Sequence, residues 1–333
     1  MKKINQSRFK VLTVTMLVGA ISAIAGCSSA TSPPEEESST GGGGDLVLAV
    51  QMLDTNTFFQ AIEDGMRSGA GDNITLQITN AGGDAAKESQ NLSTVIGSGV
   101  DALILSPVSA EGSAAVVRQA VEANIPVVCY NTCLTDELND ELIAFFVTTD
   151  QEELGRKTGE YAAKFIEEEL GGSAKIGILN CDRFEVCVDR KNGFMGALEG
   201  LDIEYVADQE GFEADAAASV GENVITANPD IDLMWAANEG GTIGAVTAVK
   251  NANADIAVFG TDFNDVIAGL LLEDNPVLIA VTGQRPAEMG RLALEAAVKA
   301  ANGETASEKK IITPTAFYSF EDRVAIEQFL AEQ

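Results

Sequence analysis

From Leu46 onward the chain repeats a two-part unit, a short apolar run followed by a longer amphipathic stretch. The runs include LVLAV, ITLQI, DALILSP and IPVVCYN, and the stretches include DAAKESQNLSTVIGSG and SAAVVRQAVEAN. A strand that is apolar throughout must be covered on both faces, which is the condition of a parallel sheet flanked by helices. The alternation restarts after Asp150. A helix is expected from Gly155 to Leu170, then the strand AKIGILN, then a helix around Gly193 to Leu201 that Arg190 opens. IEYVAD, IDLMWAAN, DIAVFGTD and VLIAVTG follow, with helical stretches between them. So many units exceed one compact sheet. The expected fold class is α/β, with two doubly wound, Rossmann-like parallel-sheet lobes.

In open sheets of this kind, ligands bind beyond the carboxyl ends of the strands. The residues that follow the strands are Asn56, Asn131, Asn238, Asp262 and Gln284, joined by Arg190 after the Cys181 loop. Each alone is also an ordinary turn former or helix cap. Together they are rich in hydrogen-bonding groups and poor in nucleophiles. Phe58 and Phe59 stand side by side just after Asn56, about 100° apart on a helix. Either both rings cover core, or at least one faces something other than water.

Acidic side chains number 51 against 21 basic ones, a formal net charge of −30. Such a surface repels nucleic acid and anionic membranes, so no nucleic-acid partner is expected. The chain has no histidine, which removes the commonest general base and metal ligand; no metal site and no cofactor are expected. Among the first 26 residues, Lys2, Lys3, Arg8 and Lys10 precede an apolar stretch from Val11 to Ala25 that is short for a membrane span. Ser28 to Gly44 is rich in serine, glutamate and glycine and cannot bury a core, so it reads as a tether.

Ile24-Ala25-Gly26-Cys27 resembles the lipobox of bacterial lipoproteins, which implies a signal peptide through residue 26 and a lipidated Cys27. An extracytoplasmic location and a membrane attachment through lipid follow as expectations. Four further cysteines would then meet an oxidising compartment. A local Cys181–Cys187 disulfide is the first expectation. Cys129 reads as a small buried side chain in a strand, although spacing does not settle connectivity.

The body as a whole, Leu46 to Gln333, resembles the periplasmic sugar-binding proteins of the ribose and galactose type, which serve ABC importers. The motifs that carry the resemblance run in order: Asn56-Thr57-Phe58-Phe59, GVDALILSP, IPVVCYN, Thr149-Asp150, Arg190-Lys191-Asn192-Gly193-Phe194, Asn238, Gly260-Thr261-Asp262 and Gln284. The resemblance implies a type I periplasmic binding fold, two lobes joined by three crossings near Thr148, Gly283 and Thr313. It implies a monomer that closes on a sugar and a permease as partner. The implied partition is residues 1–27 signal and lipidated cysteine, 28–44 tether, 45–148 with 284–312 first lobe, and 149–283 with 313–333 second lobe.

The resemblance also assigns Asn56, Asn131, Arg190, Asn238, Asp262 and Gln284 to sugar hydroxyls, and Phe58, Phe59 and Phe212 to the faces of the ring. Physically, hydroxyls suit forked or charged partners and C–H faces suit flat apolar rings. Ribose receptors carry an Asp-Arg pair where this chain has Asn131-Thr132, which favours a hexose or a polyol. Asn-Asp is usual where this chain has Asn238-Glu239, and Glu239 is expected to complement a helix start. Trp235 reads as core, and Tyr130 faces either the cleft or the strand's packing. No nucleophile elbow or metal motif supports an enzyme.

Overall fold

Six strands form one all-parallel sheet in a computed structural model that describes residues 45–331. They are β1 (Leu46–Met52), β2 (Ile74–Asn80), β3 (Ala102–Leu105), β4 (Val127–Tyr130), β5 (Phe145–Thr149) and β11 (Lys310–Thr313), ordered β11-β5-β4-β3-β1-β2. The second sheet holds β6 (Ser173–Asn180), β7 (Asp202–Glu210), β8 (Leu233–Ala236), β9 (Ala257–Thr261), β10 (Leu278–Gly283) and β12 (Ala316–Ser319). Its order is β12-β10-β9-β8-β6-β7, and only β12 runs antiparallel. Position for position the two orders correspond, so β4 holds in the first sheet the place of β9 in the second. Cys27, the signal stretch and the tether lie outside the described residues.

Helices α1 (Thr57–Gly69), α2 (Ala85–Ser98), α3 (Ala114–Glu122), α4 (Asp136–Leu142) and α10 (Pro286–Ala301) cover the first sheet. Helices α5 (Gln151–Glu169), α6 (Glu185–Ala197), α7 (Ala214–Ala227), α8 (Glu239–Ala252), α9 (Asp265–Leu271) and α11 (Arg323–Ala331) cover the second. This is the doubly wound, two-lobed architecture that the alternation of runs predicts. Strands β3, β4 and β8 are buried along their whole length, as continuous apolar runs require. Trp235 is buried in the second lobe and stacks on Phe194 at 4.7 Å. Tyr130 belongs to the packing of the first lobe, where its hydroxyl donates to Gln51 O at 3.3 Å.

The chain passes between the sheets three times: from β5 to α5, from β10 to α10, and from β11 to β12. Hydroxyl contacts tie these passages together. Thr149 Oγ1 lies 2.8 Å from Thr313 Oγ1, and Thr158 Oγ1 lies 2.7 Å from Thr282 Oγ1.

Two expectations are corrected. Helix α6 begins at Glu185, so Arg190 sits inside it rather than at its start. Its buried stripe is Cys187, Arg190, Gly193 and Phe194, which has helical spacing but little apolar character, and so gave no hydrophobic signal. Cys129 is not a lone buried side chain. After β4 the chain folds back through a Tyr130–Thr132 bridge, which brings Cys133 within 5.4 Å Cα to Cα, and the two form a disulfide. A second disulfide joins Cys181 to Cys187 across the start of α6.

Candidate ligand-binding cleft

All nine residues singled out from the sequence line one cavity of about 330 Å³, where the carboxyl ends of the two sheets face each other. That is the lower end of the range for small-molecule sites. Asn56, Phe58, Phe59 and Asn131 come from the first lobe, and Arg190, Phe212, Asn238 and Asp262 from the second. Gln284 lies in the passage between them.

Asn131 and Asp262 hold equivalent places, directly after β4 and β9. Both adopt left-handed backbone, with φ of 58° and 71°. Asn131 N–H donates to Val147 O at 2.9 Å, and Asp262 N–H donates to Thr282 O at 3.0 Å. This conformation costs an ordinary side chain about 1–2 kcal/mol and is tolerated best by Asn and Asp. Strain of this kind collects at ligand sites, where surrounding structure over-determines it.

Arg190 is 3% exposed and held from several sides. Its Nε donates to Gln151 Oε1 at 2.7 Å, its Nη1 donates to Ala237 O at 3.0 Å, and Nη1 lies 4.0 Å from Asp262 Oδ2. Burial pulls the guanidinium below its ordinary range, while the carboxylates of Asp262 and Asp189 oppose that shift. Asp262 accepts in turn from Glu239 N–H at 2.9 Å and from Gln284 Nε2 at 2.9 Å. The charged part of the wall is therefore fixed in place by the protein itself. Two buried acceptors, Asn131 Oδ1 and Gln284 Oε1, have no hydrogen-bond partner among the described residues. Each unmet acceptor costs about 1–3 kcal/mol, which a ligand donor recovers.

Asn56 and Asn238 also build the wall. Asn56 Oδ1 caps α1 through Phe59 N–H at 3.3 Å. Asn238 Oδ1 caps α8 through Gly241 N–H at 3.2 Å, while its Nδ2 donates to Phe212 O at 2.9 Å. Gly240 completes that support, since a Cβ there would lie 2.2 Å from Phe212 O.

The paired phenylalanines divide their work. Phe59 is 3% exposed and packs into the first lobe's core, and Phe58 meets it edge-on at 5.4 Å and remains partly open to the cleft. The opposite wall carries Phe212 and a ring the sequence reading missed, Phe184, at 5.2 Å from each other. The Arg183 guanidinium caps both, 4.5 Å from the Phe212 ring and 4.9 Å from the Phe184 ring. Phe184 lies between the cysteines of the 181–187 bridge, and that bridge was the only signal for it. Removing it by a Cys181→Ser, Cys187→Ser double change is expected to loosen this wall and weaken ligand affinity by about tenfold, read by calorimetry.

Glu239 was expected to do no more than complement a helix start. It does occupy the first turn of α8, but its carboxylate also accepts from Thr57 Oγ1 of the opposite lobe. Asn264 Nδ2 donates to the same hydroxyl at 3.4 Å, so Thr57 is held between two residues of the second lobe. Burial pushes the Glu239 carboxyl up to about 7. Hydrogen bonds from Thr57 and Asn264 oppose the rise, and the charges of Asp262 and Glu213 add to it.

Fold and cleft together define the type I periplasmic binding class. Residues 48–305 match the family described as periplasmic binding protein domain, and the chain belongs to that family. It is 38% identical over 282 residues to the ABC transporter periplasmic-binding protein YphF of Escherichia coli (strain K12), covering 83% of this chain and 86% of that one. It is 29% identical over 254 residues to the ribose import binding protein RbsB of Bacillus subtilis (strain 168), covering 75% and 79%. Among solved structures, a solute binding protein of an ABC transporter from Bacillus halodurans C-125 with bound myo-inositol matches with a TM-score of 0.78 at 22% identity, over 88% of this chain and 100% of that one. A galactofuranose binding protein matches with a TM-score of 0.79 at 23% identity, over 86% and 99%. These are solute-binding proteins rather than enzymes, and the family implies an extracytoplasmic location.

Proposed function

We propose that this protein is the extracytoplasmic receptor of an ABC importer and binds a monosaccharide between its lobes, with a hexose or related sugar favoured over ribose. The observation that carries this reading is the bonded set of Arg190, Asp262 and Gln284 with Asn131, lining one cavity with aromatic rings from both lobes. Such a site suits a guest with hydroxyls at its rim and C–H bonds on its faces. The Asn131-Thr132 pair, in place of the Asp-Arg of ribose receptors, supports the preference. A cyclitol or a furanosyl compound is the second reading, favoured by the myo-inositol and galactofuranose of the similar structures.

The lobes comprise residues 45–148 with 284–312 and residues 149–283 with 313–333, and they close because the ligand bonds to both. The protein acts as a monomer beside its permease, held on the membrane by acyl chains at Cys27. Mass spectrometry of the mature N-terminus reads that modification directly; an unmodified Cys27 removes the anchor from the proposal. A thermal-shift screen of hexoses, pentoses, cyclitols and furanosides tests the ligand class. A ligand at 100 times its dissociation constant adds about 2.7 kcal/mol, enough to move the transition clearly. A panel without any shift would overturn the reading.

A further inference from the structure

Charge in the cavity is unbalanced. Among the described residues that line it, Arg190 is the only cation and faces three carboxylates, Asp262, Glu213 and Glu239. Arg190 and Asp262 are held together in one network. Burial and the charge of Asp54 push the Glu213 carboxyl up, and Arg183 partly offsets that rise. Glu239 has only neutral side-chain partners, Thr57 and Asn264.

A second observation points the same way. Gln284 is 6% exposed, and its Oε1 has no hydrogen-bond partner among the described residues. Its orientation is set by the protein, because Nε2 donates to Asp262 Oδ1. Asp262 therefore ties both residues to itself, Glu239 through its backbone N–H and Gln284 through its side chain. The Glu239 carboxylate has neutral donors and no cation bonded to it, and the Gln284 carbonyl in the same cavity has no donor. A hydroxyl supplies a donor and no charge, whereas an ammonium supplies three donors and the charge.

Resting on the reading of the cleft as a sugar site, we propose that Glu239 selects ligands by charge. The cleft takes a sugar or cyclitol that carries a protonated amine, seated between Glu239 and Gln284, in preference to its neutral counterpart. It excludes the counterpart that carries a carboxylate. Protonation gives the selection a signature. Burial pushes the Glu239 carboxyl up to about 7 from its ordinary 4.5, with Thr57 and Asn264 bonded to it and the charges of Asp262 and Glu213 acting on it. Closing on a neutral ligand therefore takes up a proton between those values, and affinity for it falls as pH rises through that window. An ammonium keeps the carboxylate ionised, so affinity for an amine does not fall.

The test is calorimetry of the mature protein with galactose, galactosamine and galacturonate, with the matching glucose series, and with myo-inositol and an amino-substituted inositol. In at least one series the amine is expected to bind about tenfold tighter than the neutral ring at pH 7, with the acid undetected. Glu239→Gln is expected to bring amine and neutral ring to within about twofold, and Glu239→Asp to reduce the gap. Thermal melting of both variants reports their folding. Equal or tighter binding of the neutral ring, or an amine preference that survives Glu239→Gln, overturns the proposal and leaves the sugar reading standing. If no member of any series binds, the sugar reading itself fails and this inference falls with it.

Discussion

Arg190→Ala is expected to abolish ligand binding, with a loss of at least about 100-fold in affinity by calorimetry. Truncating one member of a buried, hydrogen-bonded charge pair at a binding site costs about 2–5 kcal/mol, much of it from the charge left behind. Here that charge is Asp262, whose carboxylate keeps its bonds to Glu239 N–H and Gln284 Nε2 but loses the nearby guanidinium. Gln151 Oε1 and Ala237 O lose their donors as well. The same change should lower stability, and the 4.0 Å separation of Nη1 from Oδ2 places the effect near the low end for buried pairs, about 3 kcal/mol. Arg190→Lys keeps the charge but not the planar fork, so it should recover stability better than affinity. Affinity unchanged in Arg190→Ala would refute the site.

Gly193→Ala should be among the most damaging single substitutions in the second lobe, although it adds one methyl group. Helices α5 and α6 touch backbone to backbone. A Cβ on Gly193 would lie 2.0 Å from Glu152 O, and one on Gly155 would lie 1.8 Å from Arg190 O. No rotamer relieves a clash with a carbonyl, so the helices must move apart. Overpacking costs about 1–3 kcal/mol where side chains can yield, and here the upper end or more is expected. Because Arg190 rides on α6, ligand affinity should fall with stability. Gly196→Ala, one turn further along the same helix, meets nothing within 4 Å and should stabilise by about 0.5–1 kcal/mol. Thermal melts of the two variants side by side check the assignment; equal effects would contradict the close crossing.

Much of this arrangement was legible in the chain. Continuous apolar runs marked the central strands such as β3, β4 and β8, where burial on both faces leaves no alternation to misread, whereas β5, β11 and β12 carried no such signal. The carboxyl-end rule then placed Asn56, Asn131, Asn238, Asp262 and Gln284 on one cavity, since strand ends converge there in any doubly wound sheet. What escaped notice depends on contacts between distant segments. Glu239 reads as a helix-start acid until Thr57, 182 residues away, is seen against it. Phe184 reads as loop until the disulfide and the start of α6 turn it towards Phe212. The sequence pattern points to a helix start at Arg190 because a stripe of cysteine, arginine and glycine has helical spacing without hydrophobicity. The Cys129–Cys133 bridge depends on a reversal directly after a strand, which spacing alone does not reveal.

Native mass spectrometry, run on wild type and Arg190→Ala with a panel of sugars, amino sugars and cyclitols, addresses the binding of a small polyhydroxylated guest most directly. A one-to-one complex with at least one of them is expected for wild type and should be missing from the folded variant. A complex equally abundant in both proteins, or none in either, would contradict the cleft as described.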